Sequence, residues 1–132
     1  MANILVIDDS PEFCRLVALV VEGAEHTCIE AYDAHTGLNL AETEQPDLIV
    51  LDYMMPLMDG LEAFKKLRQN PRTAHIPVIM ITAFSATEAS RIEALRLGMD
   101  DYLTKPVSPR ALLDSISGVL YRRHSSPRPA VD

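Results

Sequence analysis

Short apolar blocks recur along this chain, each followed by a segment of helical period: ILVI at 4–7, TCIEA at 27–31, LIVL at 48–51, VIMI at 78–81 and YL at 102–103. No other feature constrains the fold as strongly. Three of the blocks run without polar alternation, which suits a strand only if something covers both of its faces. The intervening segments supply that cover. Phe13, Leu16, Val17, Val20 and Val21 recur at the spacing of one helical face. So do Leu61, Phe64 and Leu67, then Ala89, Ile92, Leu95 and Leu97, and finally Leu112, Leu113, Ile116, Val119 and Leu120. The helix over about residues 34–43 has the faintest pattern, because Gly37 and Asn39 lower its propensity. Strand and helix alternate five times, which predicts an α/β fold: a doubly wound parallel sheet with right-handed crossovers and helices on both faces.

Local punctuation agrees with this division. Ser10-Pro11 and Ser108-Pro109 each offer a capping hydroxyl followed by proline at the first helical position. Ser85 and Glu88 have capping-box spacing, and Gly98 suits a helix C-terminus. After Tyr121 the apolar stripe stops. The expected division is therefore one domain over 1–122 and a flexible tail or truncated linker over 123–132, with Arg122, Arg123 and Arg128 as solvated charges.

Bulk properties exclude several classes of function. A net charge of −7 argues against direct nucleic acid binding, which needs a basic footprint. The apolar runs are too short to span a membrane, and the start, MANILVIDD, has no export-signal pattern, so a cytoplasmic location is expected. Cys14 and Cys28 lack metal-ligand spacing and read as buried, reduced thiols. His26, His35, His75 and His124 are scattered and read as solvated or loosely packed.

In an open parallel sheet, ligands bind beyond the carboxyl ends of the strands, where strand order reverses. Strand one ends in Asp8-Asp9, strand three in Asp52, strand four in Thr82-Ala83 and strand five in Lys105-Pro106. Strand two ends in Tyr32-Asp33, as expected of an edge. Three carboxylates, one hydroxyl and one lysine would thus meet at one rim. Adjacent carboxylates repel unless a cation intervenes, and carboxylates with water complete the all-oxygen shell that Mg²⁺ demands. A carboxylate is also a nucleophile toward phosphorus, and a lysine and a hydroxyl are suitable partners for phosphoryl oxygens. Taken singly, Asp8-Asp9 could serve only a helix N-terminus, Asp59-Gly60 reads as a turn, and Thr82 as a strand residue.

The motifs VIDDS, LDYMMPLMDG, ITA and DYLTKP, in this order and spacing, resemble the receiver domain of two-component response regulators over about residues 3–121. That resemblance implies a flavodoxin-like fold with strand order 2-1-3-4-5. It implies that Asp52 accepts a phosphoryl group from a phosphohistidine on a sensor histidine kinase or phosphotransfer protein. Asp9, Asp52 and the Met54 backbone carbonyl would ligate Mg²⁺, with Asp8 acting through a bound water. Thr82 and Lys105 would bind the phosphoryl group, with Lys105 paired to a carboxylate beforehand. Lys105–Pro106 would be a cis peptide. Tyr102 occupies the switch-aromatic position, and the fourth helix, fifth strand and fifth helix (about residues 85–121) would form the responding face. Arg110, Asp114 and Arg122 offer charges for a homodimer there.

The same resemblance places Met54 and Phe84 beside the path of the attacking water. Both are apolar here, so slow loss of phosphate is expected. The chain would be a phosphoacceptor signalling domain rather than an enzyme, whether alone or as part of a larger regulator or hybrid kinase. Two rivals fit less well. A haloacid-dehalogenase-like phosphohydrolase needs a DxDx[TV] motif, and Asp52 is followed by Tyr53 and Met54. A flavin carrier needs a phosphate-binding loop after strand one, where DDSPEF is anionic.

Overall fold

The chain alternates strand and helix throughout: β1 (Asn3–Ile7), α1 (Pro11–Gly23), β2 (Thr27–Ala31), α2 (Ala34–Glu44), β3 (Leu48–Asp52), α3 (Gly60–Gln69), β4 (Val78–Thr82), α4 (Glu88–Arg96), β5 (Asp101–Thr104) and α5 (Pro109–Ser125). This computed structural model describes residues 1–83 and 88–125. The five strands form one parallel sheet in the order β2-β1-β3-β4-β5.

The unalternated strands are explained by two apolar clusters, one on each face of the sheet. Leu5, Ile7, Ile49, Leu51, Val78 and Met80 point toward α2 and α3, meeting Ala41, Phe64 and Leu67. Ile4, Val6, Leu48, Val50, Ile79 and Ile81 point the other way, toward Val17 and Val21 of α1 and Leu112, Ile116 and Val119 of α5. Successive residues of one strand serve opposite faces, so both sets must be apolar. Truncating one of these side chains, such as the fully buried Ile79, to alanine would cost about 2–5 kcal/mol.

Two helix starts lie where the sequence marks them. Ser10 Oγ accepts from the Phe13 amide at 3.2 Å, and Ser108 Oγ from the Ala111 amide at 3.0 Å. Asp33 and Asp59 cap α2 and α3 in the same way. Asp59, expected at a turn, is instead the extended N-cap of α3. Gly37 is required by packing: a Cβ there would lie 2.5 Å from Ile7 Cδ1. The glycine that weakens the helical pattern of α2 is what lets α2 approach β1.

Several expectations are corrected. Leu16 is 45% exposed, because α1 turns Cys14, Val17, Ala18 and Val21 to the sheet. Small residues bring the helix close, and Phe13 and Val20 move to its flank. On α4 and just beyond, Ile92, Leu95 and Leu97 are exposed, while Ala94 and Met99 are buried. The expected tail boundary at residue 123 falls inside α5, which runs to Ser125. Arg123 is held in the fold, its Nε donating to Asp100 Oδ1 at 3.0 Å. Residues 126–132, and Ser85 with its capping box, lie outside the described residues. His26 is half-buried and bonded, its Nδ1 accepting from the Ala2 amide at 3.0 Å. Both cysteines are free thiols, and burial first, then neighbouring carboxylates, pushes each up to about 12. Among the described residues, no helix is long and apolar enough to cross a membrane.

Candidate functional site

The parallel register brings the strand ends together. Ile7 pairs with Leu51 in the ladder, Asp52 with Ile81, and Thr82 with Thr104. The next residue along each of β1, β3 and β5 therefore stands on the same rim. Asp8 follows Ile7 and is 1% exposed, Asp52 closes β3 at 4%, and Thr82 closes β4 fully buried. Asp9 is exposed, at the mouth. One carboxylate oxygen from each of Asp8, Asp9 and Asp52 lies within 4.8 Å of the others.

Lys105 supplies the positive charge. Its Nζ donates to Asp8 Oδ2 at 2.8 Å and lies 3.7 Å from Asp52 Oδ1. Its backbone is fixed by the amide, which donates to the Thr82 carbonyl at 2.7 Å, and the Lys105–Pro106 bond is cis. The other Asp8 oxygen accepts from the Ser10 amide at 2.8 Å. Asp8 is thus engaged at both oxygens, whereas Asp52 holds the ammonium only loosely.

Among the described residues, three carboxylates against one ammonium leave the cup short of positive charge. Burial, then the Asp8 charge, pushes Asp52 up to about 6; Lys105 and the Met54 amide oppose this, and Asp9 adds to it. For Lys105, burial disfavours the ammonium, but the Asp8 hydrogen bond and the charges of Asp8, Asp52 and Asp9 outweigh it and hold the amine above the ordinary lysine range. The donor set is all oxygen, which suits a hard divalent cation such as Mg²⁺. Each Asp8 carboxylate oxygen already accepts one hydrogen bond, and Asp8, Asp9 and Asp52 each have an oxygen close enough to the others to face one cation.

The loop after β3 is held against the site. The Gly60 amide donates to the Tyr53 carbonyl at 2.7 Å, and a Cβ at Gly60 would collide with the Asp52 carbonyl oxygen and Tyr53 Cα. An open depression lined by Asp9, Tyr53, Met54, Met55, Pro56 and Asp59 adjoins the carboxylates. The Met54 side chain is 49% exposed there, and Phe84 lies outside the described residues. Tyr102, half-buried, packs on the face that includes Met80 and Tyr53; burial, then the nearby Tyr53, raises its hydroxyl.

One contact has no counterpart in the sequence reading. The Lys105 ammonium lies 4.3 Å from the centroid of the Phe13 ring. Phe13 falls in the apolar pattern of α1 and so reads as core. The available signal is positional: it stands in the first turn of the helix that starts directly after Asp9, at the same rim.

Comparison with known proteins points the same way. A model of the response regulator receiver domain matches residues 4–117. The chain is 38% identical over 120 residues to the phosphate regulon transcriptional regulatory protein PhoB of Pseudomonas aeruginosa, covering 91% of this chain and 52% of PhoB. It is 37% identical over 120 residues to Protein PilH of the same organism, covering 91% of this chain and 98% of PilH. It therefore spans about half the length of PhoB and almost all of PilH. Among solved structures, the receiver domain of the Francisella response regulator 1452 superposes with a TM-score of 0.83 at 34% identity, covering 92% of this chain and 98% of that one. A CheY-like receiver domain protein from Methanospirillum hungatei gives 0.85 at 28% identity, covering 95% and 98%. With the sheet order and the matched span in agreement, this chain belongs to the response regulator receiver domain family.

Proposed function

We propose that the chain is a phosphorylation-controlled switch in which Asp52 accepts a phosphoryl group from a phosphohistidine of a sensor histidine kinase or phosphotransfer protein. The observation that carries this reading is the convergence of Asp8, Asp9 and Asp52 on Lys105 at the strand ends. A carboxylate oxygen of Asp52 attacks phosphorus as the bond to the donor imidazole nitrogen breaks, and the bonding pair leaves with that nitrogen. Asp9, Asp52 and the Met54 carbonyl would hold Mg²⁺, with Asp8 contributing through water. When bound, the ion supplies charge that offsets the carboxylate repulsion and the developing charge on the phosphoryl oxygens. Lys105 follows the new charge, moving from Asp8 toward a phosphoryl oxygen. Thr82 donates its hydroxyl to another.

The added charge acts on the face formed by α4, β5 and α5. Tyr102, on the neighbouring strand opposite Met80, would follow Thr82. The same face exposes Ile92, Leu95, Leu97 and Tyr121 and carries the exposed Arg110–Asp114 pair at 3.9 Å. These groups suit an output partner, a further output domain or a second copy of the chain. In this reading the protein works in the cytoplasm and assists its own loading and clearing without turning over an outside substrate.

The test is incubation with acetyl phosphate and Mg²⁺, read by intact mass. Wild type gains one phosphoryl group and Asp52→Asn gains none. Equal labelling of the two would overturn the assignment, and multiple turnover of a phosphoester would favour a phosphohydrolase.

A further inference from the structure

We infer that Phe13 is a positioning residue for Lys105, holding its ammonium over the carboxylate cup while it passes from Asp8 to the arriving phosphoryl group. This deepens the phosphoacceptor reading and rests on it. Lys105 Nζ has Asp8 Oδ2 at 2.8 Å, Asp52 Oδ1 at 3.7 Å and the Phe13 ring centroid at 4.3 Å. The Lys105 side chain is only 23% exposed.

The ring itself is well anchored. Its residue lies in the first turn of α1, where the Phe13 amide donates to Ser10 Oγ and Pro11 fixes the backbone. Phe13 also packs on the apolar cluster beneath α1 and α5. Lys105, by contrast, is a flexible four-carbon chain that reaches in from the end of β5. An ammonium on such a chain needs a guide if it is to change partners without escaping into water.

An aromatic face is suited to that task. It attracts a cation through its quadrupole and has no single hydrogen-bond direction to break. The ammonium can slide across the ring from Asp8 toward Asp52 and keep the attraction throughout. A second carboxylate in this place would compete with the phosphoryl oxygens, and an aliphatic side chain would exclude water without attracting the charge.

The experiment uses the full chain with acetyl phosphate and Mg²⁺, and reads the rate of labelling against donor concentration. Phe13→Leu lowers the maximal rate about threefold, leaves half-saturation by the donor unchanged, and keeps the wild-type thermal midpoint within a few degrees. Phe13→Trp restores the rate. In a Lys105→Met background, Phe13→Leu brings no further loss. Should Phe13→Leu fold poorly, stepwise ring fluorination of Phe13 keeps its shape while weakening the quadrupole, and the rate falls with each fluorine. A flat fluorination series, or an equal loss with and without Lys105, overturns the inference and leaves a packing role. The Lys105 ε-protons in unphosphorylated protein, shifted by the ring current and returned by Phe13→Leu, report the contact without labelling. Wild type that takes no label while that shift is present overturns the phosphoacceptor reading rather than the contact.

Discussion

Among the described residues, Asp8 and Asp52 share one ammonium beside Asp9 at the carboxyl end of the strands; at the amino end, Asp100 faces two guanidinium groups. Arg123 binds Asp100 through two nitrogens, at 3.0 and 3.1 Å, and the Val78 amide donates to Asp100 Oδ2 at 2.9 Å. Arg68 Nη2 lies 3.8 Å from the same oxygen, and its guanidinium sits over the Phe64 ring at 4.6 Å. Arg123 Nη1 donates to the His75 carbonyl and Arg68 Nη1 to the Ile76 carbonyl. Each end therefore has acid, base and an aromatic face. The amino end sets two guanidinium groups against one carboxylate and ties α3, β4 and α5 together. The carboxyl end is short of positive charge, and burial and the Asp8 charge push Asp52 up. Paired charge serves the fold, whereas an excess of carboxylates favours an incoming cation.

The largest expected effect separates the two ends by activity. Lys105→Met should lower the rate of acetyl phosphate labelling about a hundredfold, whereas Arg123→Met should leave it near wild type. Equal losses would erase the distinction.

Next in size is a stability effect at the amino end. Asp100→Ala leaves guanidinium groups and the Val78 amide without their shared carboxylate, and should cost about 2–3 kcal/mol in urea unfolding. At the carboxyl end the sign reverses. Asp52→Asn removes a buried charge beside Asp8 and should raise the metal-free melting temperature at pH 7 by roughly 4 °C.

The pH dependence has the same origin. Asp52 ionises at about 6 in the folded protein, above its ordinary value of 3.8, so folding favours its protonated form. Its contribution to stability is present below about pH 4 and is lost as pH rises through about 6. Metal-free wild type should weaken over that window relative to Asp52→Asn. A parallel response in both proteins would place the titration elsewhere.

The smallest effect lies at the amino end of the sheet. Burial, then the N-terminal amine, lowers His26 below the ordinary imidazole value of 6.5. Folding favours its neutral form, so its contribution is present above that value and is lost as pH falls below it. His26→Gln should shrink the change in urea midpoint between mildly alkaline and mildly acidic pH.

How much of this was legible depends on whether the physics is local. β1, β3 and β4 were readable because burial on both faces forces continuous apolar runs. The rim residues were readable because a parallel sheet places all its strand ends on one edge. Helix orientation was less so: Cys14 and Ala18 set the buried face of α1, and Ala94 lies on that of α4, yet small residues weigh little in an apolar pattern. The Asp100–Arg123 pair joins the start of β5 to the end of α5, and nothing local distinguishes Arg123 from a solvated tail charge. Phe13 was hidden differently, since its spacing suits a core residue and its contact with Lys105 depends on where two distant elements end.

The contrast between the two ends is tested most directly by calorimetric titration with Mg²⁺. Wild type should bind one ion, Asp9→Asn and Asp52→Asn should lose most of that binding, and Asp100→Asn should keep it. Wild type that binds no magnesium, or an Asp100→Asn protein that remains folded yet loses binding as fully as Asp9→Asn, would contradict the account.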